Sequence, residues 1–189
     1  MKRLTVDDEL VRNLTGELGP LVEELTRWPV TLETLSCRVL PKDRGYEEII
    51  LGRLCGAGIA VDEAESRTIL DRLLEFIIEG VVLAAYQPAT EELLVIRENV
   101  DESNLDGLRL VIGHELVHRA QHLRHPKLFR RVAAVIVEVF HGAQTGALSL
   151  RAALAKVAGL KPVMTVIESH AWFIQDELHR RFFPNAVIE

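Results

Sequence analysis

A mainly α-helical fold with a small β-hairpin or sheet, an α+β class, is predicted by three observations. Apolar positions recur at helical spacing through most of the 189 residues. Two short apolar runs, 81–86 and 92–99, flank a Pro-containing turn and read as a hairpin. Residues 108–122, LRLVIGHELVHRAQH, form a helix that is apolar on most sides, and another helical pattern closes the chain. With 48% hydrophobic and 26% charged residues, the chain is expected to fold as one domain, 1–189, around an ordinary core. Residues 1–80 make its helical N-terminal part. Residues 81–189 hold the hairpin, the 108–122 helix and a C-terminal helix packed against it.

Residues 6–18 and 21–28 carry apolar positions at helical spacing and are separated by Gly19-Pro20, which predicts a helical pair ended by Trp28-Pro29. Residues 30–40 are richer in β-branched side chains and predict a strand stopped at Pro41. Two helices follow. One covers 46–55 and is closed by Gly56-Ala57-Gly58; the other covers 62–79, with Ile69, Leu70, Leu73, Leu74, Ile77 and Ile78 facing inward and Gly80 at its end. After the hairpin, a polar loop over 101–106 offers Asn104 or Asp106 as a cap for the 108–122 helix. His125-Pro126 then breaks the chain, and Pro126 suits the first turn of a helix running to 140. A loop over 142–146, a short helix over 149–158 closed by Gly159, and a last helix over 162–183 complete the pattern.

The central helix contains His114-Glu115-Leu116-Val117-His118, the order HExxH. Positions four apart lie one turn above each other, so both imidazoles can reach one metal ion, with Glu115 placed to polarise a water held there. Burying two histidines and a carboxylate in so apolar a helix is costly unless they are paired or bind metal. A hydrolytic zinc needs three protein ligands and an open position. His122 lies about 12 Å from His114 along the helix, too far for bonds of about 2 Å. The HExxHxxGxxH pattern also fails, because Gln121 and Arg124 occupy its glycine and third-histidine positions. Glu138, His141, Glu168 and His170 remain. Glu168 is the first choice, set among Met164, Val166, Ile167, Ala171, Trp172 and Phe173, where a cation would stabilise a carboxylate; Glu138, in VIVEV, is the second.

Charge and composition argue against several other classes. A net charge of −6 and a pI near 5.7 speak against a nucleic-acid or anionic-membrane partner. Arg130-Arg131 and His179-Arg180-Arg181 are short basic runs suited to solvated helix faces. No apolar run is long enough for a membrane span, and acids rather than an apolar stretch follow Met1-Lys2-Arg3, so a cytoplasmic location is expected. Cys37 and Cys55 provide neither a disulfide framework nor a CxxC pair.

VIGHELVHRAQ, followed in the C-terminal helix by MTVIESHAWFIQDELHRRFFPNA, resembles an uncharacterised bacterial zincin-like family linked to deazaflavin-coenzyme biosynthesis. The resemblance covers residues 86–184. Gln121 matches a glutamine of that family, and Glu168-Ser169-His170-Ala171 matches its Glu-Gly-His-Ala segment, with serine for glycine. The resemblance implies a zincin-like fold and Glu168 as third ligand. In zincins a hairpin before the HExxH helix supplies an edge strand on which an extended peptide can lie. Trp172 stands four residues after Glu168, so the ExxxD spacing of thermolysin-like enzymes is missing.

The resulting expectation is a zinc metallopeptidase acting on a peptide or protein substrate. Zinc is held by His114, His118 and Glu168, Glu115 is the general base, and His170 or Tyr86 donates to the oxyanion. The alternative is a zinc-binding scaffold or sensing domain without hydrolysis, whose closed site would add a fourth ligand such as His170 or His141. Manganese, cobalt or nickel also suit these donors. Neither substrate preference nor oligomeric state is written in the sequence.

Overall fold

Asp7 starts the first helix by accepting the backbone N–H of Leu10, and α1 runs over Asp8–Thr26. Its buried stripe of Val11, Leu14, Thr15, Leu18, Gly19, Val22 and Thr26 is unbroken, so Gly19-Pro20 does not divide it into the expected pair. Pro20 lies on the exposed side. There it removes one hydrogen bond to Gly16, whose carbonyl is open to water, and the continuous apolar stripe outweighs that loss. Gly19 answers a packing need instead, because a Cβ there would stand 2.8 Å from Leu32 Cδ1.

The computed structural model describes residues 5–42, 44–45, 48–49 and 82–187. The helix expected over 62–79, most of that over 46–55, and Cys55 lie outside the described residues. Three strands, β1 (Ser36–Leu40), β2 (Ala84–Gln87) and β3 (Glu92–Ile96), form a sheet in the order β1-β3-β2. β2 and β3 are the expected antiparallel hairpin, whereas Arg97–Asn99 leaves the strand as a single 3-10 turn. The strand expected over 30–40 is confined to its second half, β1, which runs parallel to β3. Cys37, Leu93, Val95 and Ala84 face the helices, while Leu40, Leu94, Ile96 and Ala85 form a smaller cluster on the opposite face.

Asn104, one of the two expected caps, accepts the Gly107 N–H at 2.8 Å and opens α2, Leu105–Arg124. α3 (Pro126–Gln144), α4 (Leu150–Ala158) and α5 (Lys161–Phe182) follow. α3 runs through Gly142, where a loop was expected. A Cβ at Gly142 would collide with the Leu148 side chain, so this glycine lets the returning chain pack, and Gly146 at φ +70° makes the turn. α2 sits at the centre: Leu110, Ile112, Leu116 and Val117 join Val11, Leu14 and Leu18 of α1 and Ala171, Ile174 and Leu178 of α5 in one core. A Cβ on Gly113 would stand 2.5 Å from Leu178 Cδ1, so α5 lies tight against α2 just before His114. The described residues are thus mainly helical with a small mixed sheet, an α+β arrangement. Among them no helix is long and apolar enough to cross a membrane.

Candidate metal centre

The close approach of α2 and α5 brings three predicted ligands to one point. His118 Nε2 lies 3.1 Å from His114 Nε2, Glu168 Oε2 lies 3.3 Å from His114 Nε2, and Glu168 Oε1 lies 3.5 Å from His118 Nε2. Ligands held about 2.1 Å from a tetrahedral ion stand about 3.4 Å from one another, so these atoms have the spacing of one face of such a site. Two imidazole lone pairs do not face each other at 3.1 Å without a proton or a metal cation between them. The histidine side chains are 10% and 13% exposed and that of Glu168 is 43%, which leaves the carboxylate side open to solvent.

Glu115 belongs to the same cluster; its carboxylate and the His114 and His118 nitrogens lie within 4.8 Å of one another. It is committed elsewhere, however, because its Oε2 accepts the Tyr86 backbone N–H at 2.7 Å. Strand register explains that bond. Ile96 N–H donates to Leu83 O, so alternate residues of β2 turn toward β3 and the Tyr86 N–H points away from β3, toward α2. Glu168, with both oxygens on the histidine nitrogens, is the better third donor.

Without metal, burial opposes a charge on His118, but the hydrogen bond it donates to Glu168, the charges of Glu115 and Glu168, and the bond to Gln121 outweigh it and push its pKa up to about 9. Burial raises the Glu168 pKa, and the two histidines more than reverse this and hold its carboxyl well below the usual range. Burial lowers His170, and the nearby His118 lowers it further.

Gln121 is buried behind His118. Its Oε1 lies 2.9 Å from His118 Nδ1, and its Nε2 lies 2.9 Å from Ile167 O and 3.1 Å from His170 Nδ1. His170 also packs against Trp28, with ring centroids 5.0 Å apart. His114 Nδ1, by contrast, is buried with no hydrogen-bond partner among the described residues. Trp172 stands edge-on to His114 at 4.8 Å while 54% exposed, forming an aromatic wall beside the ligands.

Other candidates are placed elsewhere. Glu138 is exposed and ion-paired with Lys156 at 2.7 Å, so a lysine supplies the cation its apolar neighbours suggested; His141 is exposed on the same helix. The Tyr86 hydroxyl is taken by His122 Nδ1 at 2.9 Å and Arg119 Nη1 at 3.3 Å, which removes it as an oxyanion donor. Burial raises the Tyr86 pKa despite Arg119, so the phenol stays neutral.

Sequence reasoning missed Arg119, which is fully buried. It donates to Val30 O and Thr31 O at 2.8 Å and to Thr34 Oγ1 at 2.9 Å, with Glu91 Oε2 at 3.5 Å balancing its charge. The signal was available, since a cation four residues after Glu115 on an apolar helix has to find partners. The chain matches no family model, no curated protein and no solved structure.

Proposed function

We propose that this protein is a zincin-like, zinc-dependent metallopeptidase that hydrolyses peptide bonds. The observation that carries the reading is the convergence of His114 Nε2, His118 Nε2 and both Glu168 oxygens within 3.1–3.5 Å, with Glu115 beside them and not spent on the histidines. Two nitrogens and a carboxylate suit a hydrolytic zinc, and the spacing fits its bond lengths. A zinc ion held there supplies a Lewis acid that draws the pKa of water down to about 7.

Glu115 is the general base. The Tyr86 N–H pins one of its oxygens, and the other accepts the proton of the attacking water and returns it to the leaving amine. His170 offers a hydrogen bond to the substrate carbonyl oxygen as that oxygen gains charge. β2 ends the described sheet beside Glu115, but all four of its residues are buried and the outward N–H of Tyr86 is taken by Glu115, so the expected strand addition of a peptide at this edge forms no part of the reading.

A purely structural zinc site calls for a fourth protein ligand. Among the described residues His141 lies on the exposed face of α3 and His170 Nδ1 is engaged by Gln121, so three donors with one open side favour catalysis over a scaffold. Glu115→Gln is expected to keep zinc while cutting cleavage of a mixed-sequence peptide library at least 100-fold, the scale of general-base catalysis. Undiminished turnover in that variant sinks the mechanism. A zinc-loaded parent that cleaves nothing transfers the site to the scaffold reading.

A further inference from the structure

The orientation of the Gln121 amide follows from a partner that can only accept. Ile167 O is a backbone carbonyl 2.9 Å away, so the amide NH2 faces it and Oε1 is left facing His118 Nδ1 at 2.9 Å. An amide oxygen cannot donate, so His118 carries a proton on Nδ1. That leaves Nε2 as the nitrogen turned toward His114 and Glu168, and its lone pair is free for a metal ion once the Nε2 proton has left. The second amide hydrogen points to His170 Nδ1 at 3.1 Å, which must then be the accepting nitrogen. Neutral His170 consequently carries its proton on Nε2, an atom with no hydrogen-bond partner among the described residues.

We propose that Gln121 is the positioning residue of this site, one buried amide that sets the tautomers of two histidines in opposite senses. It holds His118 as a metal ligand through Nε2 and holds His170 as an Nε2–H donor for substrate. The inference rests on the metallopeptidase reading and assigns a task to a residue that touches neither metal nor substrate. Gln121 also clamps α2 to α5 through Ile167 O, so it acts where the two ligand-bearing helices meet. His114 lacks any such partner on Nδ1, so the orientation of the histidine pair depends on the His118 side.

Two substitutions separate the two tasks. Gln121→Glu keeps an acceptor for His118 Nδ1–H but, ionised, donates neither to His170 nor to Ile167 O; Gln121→Leu loses all three bonds. Zinc affinity, measured by competition with a chromophoric chelator, is expected to stay within about threefold of the parent in Gln121→Glu and to fall about 10- to 100-fold in Gln121→Leu. Cleavage of the peptide library by zinc-saturated protein is expected to fall at least about tenfold in kcat for both variants, since both lose the fixed donor. Long-range proton–nitrogen spectra of histidine-labelled protein read the tautomers directly. His170 is expected as Nε2–H in the parent and as a mixture in Gln121→Leu. Unchanged zinc affinity together with an unchanged His170 tautomer in Gln121→Leu overturns the proposal. A parent that takes up no zinc overturns the metal reading instead. The His170 tautomer, which needs no metal, then decides for Gln121 if it changes in Gln121→Leu and against it if it does not.

Discussion

His118 without metal is an imidazolium held between two carboxylates, with a pKa pushed up to about 9 from an ordinary 6.5. A raised pKa stabilises the fold through the protonated form. The contribution is therefore complete below pH 6.5, declines as pH rises from 6.5 toward 9, and is gone above that. A zinc ion bound through His118, as proposed, would have to displace the same proton. Its apparent affinity is expected to rise roughly tenfold per pH unit between about pH 6.5 and 9, with about one proton released per ion at neutral pH. Calorimetry in buffers of different ionisation enthalpy reads that proton, and binding without proton release contradicts the assignment of His118. Arg119 poses the opposite problem, a permanent cation with no exposed surface. Replacing it by Met leaves Val30 O, Thr31 O and the Tyr86 hydroxyl without their donor and is expected to cost about 3–5 kcal/mol in urea unfolding. A loss below about 1 kcal/mol shows that the network is dispensable.

Between α2 and α5 the fine adjustment is made by a glycine rather than by a ligand. Gly113 permits the contact with Leu178, and Leu178 is fully buried with little room to retreat. Gly113→Ala is expected to destabilise the protein by about 1–3 kcal/mol through overpacking. It also moves Glu168 away from two nitrogens now 3.3 and 3.5 Å distant, so zinc affinity falls along with stability. Unfolding and zinc titration on the same variant check the two effects together; a stability loss with unchanged zinc affinity means that the site does not depend on the helix spacing. The hairpin contributes a different kind of order. Its edge N–H at Tyr86 fixes Glu115, and Arg119 ties the Tyr86 hydroxyl and the turn residue Glu91 to the loop around Thr31, a β-branched residue held at φ 49°.

Seen as a whole, the described part of the molecule is arranged around α2, which touches α1, β2, α3 and α5 and carries His114, Glu115, His118, Arg119 and Gln121 within two turns. What was legible in the sequence is what local physics governs. The HExxH spacing, the Asn104 cap, the Ser149 and Gly159 ends of α4 and the Pro-containing hairpin turn are signals confined to a few neighbouring residues. Glu168 does meet His114 and His118, but not because it is buried among apolar neighbours: its side chain is 43% exposed, Val166, Trp172 and Phe173 face solvent, and the packing of α5 on α2 is what brings it there. Pro20 misled because its local rule is overridden by an apolar stripe that only packing reveals. The tasks of Arg119 and Gln121 were hidden because their partners are far along the chain, Thr31 at a separation of 88 residues and Ile167 at 46. Elemental mass spectrometry on the purified parent and a Glu168→Ala variant reads whether α2 and α5 together hold one metal ion, as proposed. About one zinc per chain in the parent and a sharp loss in the variant is the predicted result. A parent that stays metal-free after zinc is added, or a variant that keeps its full zinc content, contradicts it.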